Sequence, residues 1–473
     1  LYQDKKQNIY FMNDQKHGLI KYSANGVFTR ELSNTIVFDL LEDKNGTLWA
    51  LTAQGVLKYT QKWERLSMQP EEIETIKSFH SFGHVFFDSE QNLWVNFPTK
   101  KDQYVISQLI TSKANNPNTL WRIMAIGARG DSGPHNFIEA QDKSIWVSVL
   151  GEHILQFKPQ ILGQIPLPPA ITDPFSFGAF QANDQSVWVP YLRMKKVVQY
   201  KQDGTYKIYE LPSITDEPRV VFEPNPGTIW VIANSSLYQL NQDQFELVSN
   251  VPEPLLRLVY TDKQNRTWVI GVKDSQSMIS NLYQWKNGTW TYVQSLEGQI
   301  RSIIETPNGT IWLGNNKGKV FVSNKGGQSV SNQPFFKKTE MDLGRKVADL
   351  YVEENGTIWA GTEGRGLYKI QNGKVVQKFS KAQGFPFEVV WTIWQDERKN
   401  FWFSGDKGIM MIPYEQLNNF QPQTLLEPQL FGEKDGMAGK ECNGGGSHTG
   451  FKDNQGRIWL PCVKGTTVID PRV

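Results

Sequence analysis

Glu353-Glu-Asn-Gly-Thr-Ile-Trp359 is a clear copy of a short pattern that recurs along the chain. The pattern is an acidic or polar turn, often with Asn-Gly, followed by an apolar residue and then tryptophan. Asn and Gly readily adopt the positive φ angles of a tight hairpin turn, so the pattern predicts a turn between two β-strands. With a degenerate copy that ends in tyrosine, the pattern ends at eleven anchor residues: Tyr10, Trp49, Trp94, Trp146, Trp188, Trp230, Trp268, Trp312, Trp359, Trp402 and Trp459.

The spacing of the anchors predicts the fold. A repeat of about 40–45 residues with one tryptophan is typical of a β-propeller, in which each repeat is a four-stranded blade. Helical repeats of similar length need amphipathic stretches with a 3.6-residue period, and none is evident in this sequence. One blade cannot bury both of its faces, so blades must stack side by side. The sequence therefore predicts an all-β chain of tandem β-propellers, with about eleven four-stranded blades.

Composition excludes several functional classes. The chain has 473 residues, and its 50 Lys and Arg against 48 Asp and Glu give a net charge of +2. Such a balance argues against a nucleic-acid partner. Two cysteines exclude a disulfide-dense scaffold, and no apolar run reaches the roughly 18 residues of a membrane span. Motifs of hydrolases, metalloenzymes and phosphate-binding loops are absent, so we expect no catalytic residues, no metal and no cofactor.

A proline-rich segment divides the anchors into two groups. Residues 165–174 read Ile-Pro-Leu-Pro-Pro-Ala-Ile-Thr-Asp-Pro, which is typical of a linker. Seven anchors follow this segment and four precede it. We predict four blades of an incomplete N-terminal propeller in residues 1–165 and a seven-bladed propeller in residues 175–473. Two alternatives stay open: the N-terminal ring is truncated in this chain, or the eleven blades close as five plus six.

Three segments resemble the two-component-regulator propeller family, whose repeat combines an acidic turn, Gly-x-(Ile/Leu)-Trp and a later Gly-Leu-x-x-(Tyr/Phe). They are Asn45-Gly-Thr-Leu-Trp-Ala-Leu-Thr-Ala-Gln-Gly-Val-Leu-Lys-Tyr59, the stretch from Asn355 to Lys369, and the last unit from Cys442 to Pro471. The last unit is similar to the terminal blade of this family, with its Asn-Gly-Gly stretch and closing Asp-Pro. The resemblance covers nearly the whole chain, although single repeats are degenerate.

The resemblance implies a function that composition alone does not. In this family such propellers are the periplasmic, ligand-binding sensor regions of bacterial hybrid histidine kinases and diguanylate cyclases. The resemblance therefore implies a non-catalytic, extracytoplasmic sensor for a small molecule or oligosaccharide, with the signalling output and any membrane anchor outside this chain. Whether the module forms a homodimer stays open. The alternatives are a protein-interaction propeller and a lyase that resembles virginiamycin B lyase, for which Tyr209-Glu-Leu-Pro212 and Pro226-Gly-Thr-Ile-Trp230 are suggestive.

One repeat position predicts a binding site. The residue eleven positions before the anchor should lie near one mouth of the propeller channel in every blade, because equivalent repeat positions occupy equivalent places. Three consecutive blades have arginine there, and two later blades have tryptophan and histidine. Arginine binds carboxylate, sulfate or phosphate in a bidentate manner, and aromatic rings stack on sugars. The predicted ligand-binding residues, for an anionic ligand, are Arg219, Arg257, Arg301, Trp391 and His448.

The two cysteines flank the last anchor. Cys442 and Cys462 should lie on neighbouring strands of the final blade, where an oxidising compartment would allow a disulfide. The extracytoplasmic placement that the resemblance implies favours this bond over two free thiols. We therefore predict a Cys442–Cys462 disulfide.

Overall fold

The computed structural model describes residues 1–12, 18–66, 83–98, 103–109, 121–128, 134–141, 143–149, 153–157, 161–234, 236–248, 251–286, 288–324, 333–444 and 449–472. The chain folds into two compact units, Leu1–Pro159 and Gln160–Val473. Both units are built from antiparallel sheets, and in every sheet but the last of unit 2 neighbouring strands follow one another along the chain.

The described residues of unit 1 form four sheets, of which three have four strands and the last has three. In chain order the strands are β1 Tyr2–Gln3, β2 Ile9–Met12, β3 Leu19–Tyr22 and β4 Phe28–Leu32; β5 Val37–Glu42, β6 Leu48–Thr52, β7 Gly55–Tyr59 and β8 Trp63–Arg65; β9 His84–Phe87, β10 Leu93–Pro98, β11 Gln103–Leu109 and β12 Trp121–Ala128; and β13 Pro134–Glu139, β14 Ile145–Val149 and β15 His153–Phe157.

Unit 2 contains seven four-stranded sheets, which we call blades I to VII. Blades I to III are β17 Phe180–Gln181, β18 Val187–Tyr191, β19 Lys196–Tyr200 and β20 Tyr206–Glu210; β21 Pro218–Asn225, β22 Thr228–Ala233, β23 Ser236–Asn241 and β24 Gln244–Leu247; and β25 Leu255–Thr261, β26 Thr267–Val272, β27 Ile279–Lys286 and β28 Thr289–Glu297.

Blades IV to VII complete unit 2, and blade VII takes its outer strand, β16 (Leu162–Gln164), from the start of the unit. The strands are β29 Ile300–Glu305, β30 Ile311–Asn315, β31 Lys319–Ser323 and β32 Phe336–Asp342; β33 Val347–Val352, β34 Ile358–Thr362, β35 Leu367–Gln371 and β36 Lys374–Phe379; β37 Thr392–Gln395, β38 Phe401–Gly405, β39 Gly408–Ile412 and β40 Gln429–Phe431; and β41 Phe451–Lys452, β42 Ile458–Cys462, β43 Gly465–Ile469 and β16 Leu162–Gln164.

The eleven anchors confirm the repeat, because each lies on the second strand of its sheet. Nine of them are buried. Trp146 and Trp312 are only partly buried. The described part of the chain is thus nearly all-β, with eleven propeller blades, as the sequence predicts.

A hydrogen bond fixes most anchors to their own turn. The indole N–H of Trp268 donates to Asp262, six residues earlier, at 2.8 Å. The same carboxylate accepts the backbone N–H groups of Gln264 and Arg266 in the turn, so one side chain fixes both turn and indole. Equivalent indole–carboxylate bonds occur at Trp49, Trp94, Trp359, Trp402 and Trp459.

Seven apolar clusters close unit 2 into a ring. Each of six clusters lies between one blade and the next, from blade I to blade VII. The seventh joins blade VII to blade I, where Trp459 packs with Val189 and Tyr191. In addition, β16 pairs with β43, with Leu162 opposite Ile469. Because a strand from the start of the unit completes the last blade, both ends of the ring are held by one sheet.

This closure explains why the boundary between the units differs from the predicted linker. The division lies at Pro159/Gln160, before β16, so the proline-rich residues 165–174 belong to unit 2. Ile165 and Ile171 of that segment are buried against blades VII and I. The prolines therefore shape a packed connection between β16 and blade I.

Helices are short in the part of the chain that the structure describes. One α-helix, Tyr414–Asn418, connects β39 to β40, and single 3-10 turns lie at Lys381–Gln383 and Glu433–Asp435. No helix among these residues has the length and apolar character to cross a membrane.

Trp359 and Trp312 provide a test of anchor packing. Trp359 is 0% exposed, its ring lies 5.0 Å from that of Phe401, and its indole donates to Glu353. We expect Trp359→Ala to lower the free energy of unfolding by about 3–5 kcal/mol, because the truncation leaves a cavity. We expect Trp312→Ala to lower the free energy of unfolding clearly less, because Trp312 is only partly buried. Denaturant unfolding of both variants measures the difference, and equal losses would contradict this account of the anchors.

Candidate functional site

A β-bulge recurs at the repeat position eleven residues before the anchor. In blades II, III and IV the register between the first two strands shifts around Arg219, Arg257 and Arg301, respectively. The same shift occurs around Ala348 in blade V and around Phe38 in unit 1. A bulge inserts one residue into the strand and redirects its side chain. The repeat therefore aims the three arginines in the same way.

The three arginines line one cavity of about 210 Å³ in unit 2. The structure thus brings together three of the predicted site residues, from three consecutive blades. The cavity is also lined by Lys346, and none of its described lining residues is acidic. The lining residues are Phe177, Arg219, Val220, Ile232, Leu256, Arg257, Arg301, Lys346, Gly444 and Thr449.

The arginines differ in how firmly the protein holds them. Arg219 donates from Nη2 to Glu217 at 3.2 Å, and its guanidinium lies 5.7 Å from the ring centre of Phe177. Arg301 donates to the neutral Gln299 at 2.6 Å. Arg257 has no hydrogen bond or ion pair with any residue that the structure describes, and the buried Nε atoms of Arg257 and Arg301 have no acceptor there. Among the described residues, Arg219 alone of the three is paired with a carboxylate.

The arginine side chains of the cavity repel one another. Burial lowers the pKa of Arg257, and the positive charge of Arg219 lowers it further. Burial also lowers the pKa of Arg301, with a further contribution from Arg257, while Glu363 acts in the opposite direction. An anion between these groups would relieve both the repulsion and the lost hydration.

Lys346 is a cavity residue that the repeat position did not predict. Blade V has Ala348 at the bulge, but Lys346, two residues earlier, reaches the cavity. Its Nζ lies 2.9 Å from a carboxylate oxygen of Glu363 and 5.0 Å from the ring centre of Trp391. The cation thus connects the cavity to an acidic group and an aromatic ring just outside it.

The other two predicted site residues lie differently. Trp391 is partly buried beside the cavity, not among its lining residues, and contacts two residues that do line it, Lys346 and Gly444. A Cβ atom at Gly444 would lie 2.3 Å from Cβ of Trp391, so only glycine fits there. His448 lies outside the described residues. Sequence reasoning also missed Phe177 and Thr449, although Phe177 occupies the same repeat position in blade I.

Cys442 and Cys462 face each other in blade VII. The two residues form an antiparallel bridge, flanked by hydrogen bonds from the amide of Asn443 to Pro461 and from that of Val463 to Glu441. The cysteines therefore occupy a non-hydrogen-bonded pair, in which side chains are closest. Their Sγ atoms lie 2.8 Å apart as free thiols. The predicted disulfide is not formed in the structure and stays a prediction.

Comparison with known proteins supports the repeat. Residues 31–54, which contain β5 and β6 with Trp49, match the family described as two component regulator propeller. The match covers part of one blade. No curated protein matches the chain.

One solved structure shares the fold of this chain, and two others align with it at TM-scores below 0.5. The extracellular domain of the hybrid two component system BT3049 from B. thetaiotaomicron is 16% identical, with a TM-score of 0.58 over 98% of this chain and 60% of that one. The extracellular domain of BT4673 from the same organism is 15% identical, with a TM-score of 0.48 over 99% and 63%. A streptogramin B lyase is 15% identical, with a TM-score of 0.49 over 65% and 96%. The propeller chain therefore spans less than two thirds of the two extracellular domains.

The thiol pair generates a prediction. Burial and the neighbouring Cys462 raise the pKa of the Cys442 thiol, which slows its attack on soluble disulfides. In an oxidising compartment we still expect the bond to form, because the paired strands already hold the two sulfurs together. Mass spectrometry of protein exported to such a compartment should show a Cys442–Cys462 peptide. Two alkylatable thiols after unfolding would contradict the prediction.

Proposed function

We propose that the chain is the periplasmic, non-catalytic sensor module of a bacterial signalling receptor, and that its seven-bladed unit binds an anionic ligand. The observation that carries the proposal is the cavity in which Arg219, Arg257 and Arg301 meet with no acidic residue among the described lining. Cations at a concave, partly desolvated site attract an anion more strongly than cations on an open surface.

The size of the cavity restricts the ligand. Sites for drug-sized molecules usually measure about 300–1,000 Å³, whereas this cavity measures about 210 Å³. It suits a small anion or a single carboxylate, sulfate or phosphate group of a longer molecule. Phe177 and the nearby Trp391 offer aromatic surface for a ring that carries such a group.

The placement outside the cytoplasm rests on relatives. The match to the two component regulator propeller family and the shared fold with an extracellular domain of a hybrid two component system support a sensor of this kind. Signalling output would then come from another part of the receptor. The likeness to a lyase propeller, at a TM-score of 0.49, carries no argument for catalysis.

Arg257 gives the sharpest test of the proposal. Its side chain makes no hydrogen bond to the described protein, so Arg257→Ala should change stability little. We expect the substitution to weaken binding of a small anion by about 1.5–3 kcal/mol, the scale of a charge-assisted hydrogen bond. Calorimetric titration with glucuronate, sulfate and phosphate measures this, with glucose as the uncharged comparison.

Arg193→Ala is the matched control. Arg193 belongs to the same unit but is exposed, pairs with Asp173 at 3.4 Å and does not line the cavity. Its loss should leave anion binding unchanged, and Arg257→Lys should retain part of it. The proposal fails if none of the three anions binds, or if Arg257→Ala and Arg193→Ala bind them equally well.

A further inference from the structure

The surroundings of Trp312 differ from those of four other anchors. At Trp49, Trp268, Trp359 and Trp459 the indole has two charged neighbours from its own blade. One is the carboxylate six residues earlier, which accepts the indole N–H. The other is a cation over the ring, 5.0–5.4 Å from its centre. These four blades show which charges the indole of this repeat accepts.

The cation comes from either of two positions. In two blades it is an arginine two residues before the anchor, such as Arg266, whose Nε also binds the anchor's carboxylate, Asp262, at 2.6 Å. In the other two it is the lysine directly opposite the anchor on the third strand, such as Lys58 opposite Trp49. Lysine and arginine are therefore both compatible with this position over the ring.

In blade IV all three of these positions are uncharged. Thr306 stands six residues before Trp312, Thr310 stands two before it, and Val322 lies opposite it. The hydroxyl of Thr306 bonds to Asn308 and to the carbonyl of Thr310 instead. Within the described part of the chain, the indole N–H has no acceptor, and no cation lies over the ring.

A groove of about 400 Å³ opens at this place, between the turns of blades IV and V. The groove is lined by the anchor Trp312 and by Thr306 and Thr310, which stand at two of the positions that carry a charge in other blades. Glu354 from blade V is the one charged residue among the described lining, and it is exposed, without an ion pair to any described group. Amide side chains border the groove at Asn308, Asn355 and Asn372.

We propose that this groove binds a guanidinium or ammonium group at the end of a flexible chain, as in an arginine or lysine side chain of a partner. The cation would lie over the indole of Trp312, as Arg266 lies over Trp268 within the protein, and would pair with Glu354. A carbonyl oxygen beside the cation could accept the indole N–H, as Asp262 does for Trp268. This site is separate from the arginine cavity, which repels cations.

The test follows the indole N–H of Trp312 by ¹H–¹⁵N correlation spectroscopy, assigned with Trp312→Phe. Titration with acetyl-Gly-Arg-Gly-amide should shift this resonance. The citrulline peptide, which has the same shape but no charge, should bind at least fivefold more weakly. Agmatine, a free small molecule with a guanidinium group, distinguishes the two sources from which the cation could come. If agmatine binds as tightly as the peptide, the natural ligand is a free small cation. If agmatine binds more weakly than the peptide, the ligand is a side chain of a protein partner.

Two variants make the test specific. Thr306→Asp combined with Thr310→Arg gives blade IV the charges that Asp262 and Arg266 give blade III, so the protein's own guanidinium should occupy the ring. This double variant should fold and should bind the arginine peptide at least tenfold more weakly. Glu354→Gln should weaken binding several-fold, whereas Glu340→Gln, an exposed charge of blade IV outside the groove, should not.

Three outcomes would overturn the proposal. They are an unshifted Trp312 resonance, equal binding of the arginine and citrulline peptides, and undiminished binding by the double variant. Because the arginine cavity is not involved, failure here would leave the anion-binding proposal untouched, and failure of that proposal would leave this one untouched.

Discussion

Packing of the anchor between neighbouring blades is the constraint on which the repeat depends, and in six of the eleven blades a hydrogen bond from the anchor indole to the carboxylate six residues earlier supports it. The carboxylate of Asp453, like that of Asp262, accepts the indole N–H of its anchor and two backbone N–H groups of the turn. This ties the length of the turn to the position of the tryptophan that packs between blades. The indole is buried without losing its hydrogen bond, so the apolar ring can enter the core at no polar cost.

The hairpin between the first two strands places the rest of each blade in register. The bulge lies at the same distance before Trp230, Trp268 and Trp312, although among these three anchors only Trp268 has the carboxylate bond. Side chains at the bulges of consecutive blades consequently converge on one cavity. Closure of the ring brings the bulge positions of consecutive blades together, and the amino acid at each bulge determines the charge of the cavity.

Departures from the repeat are as informative as its copies. Where Thr306 replaces the usual carboxylate, the anchor Trp312 is partly exposed and a groove borders it. Where Ala348 takes the bulge position, Lys346 supplies the cation instead. Both changes alter chemistry at the surface while the blade itself is retained, because the apolar clusters on either side still hold it.

The sequence by itself determined the blade, its strand order and the common position of the three arginines. These are local properties: a turn of fixed length, alternating strands and one anchor per repeat. Tertiary structure alone decided what depends on distant partners. The short strand Leu162–Gln164 has no local signal, since it forms only when β43, some 300 residues later, offers an edge. The convergence of Lys346, Gly444 and Thr449 on the arginine cavity likewise follows from closure of the ring, which no single repeat encodes.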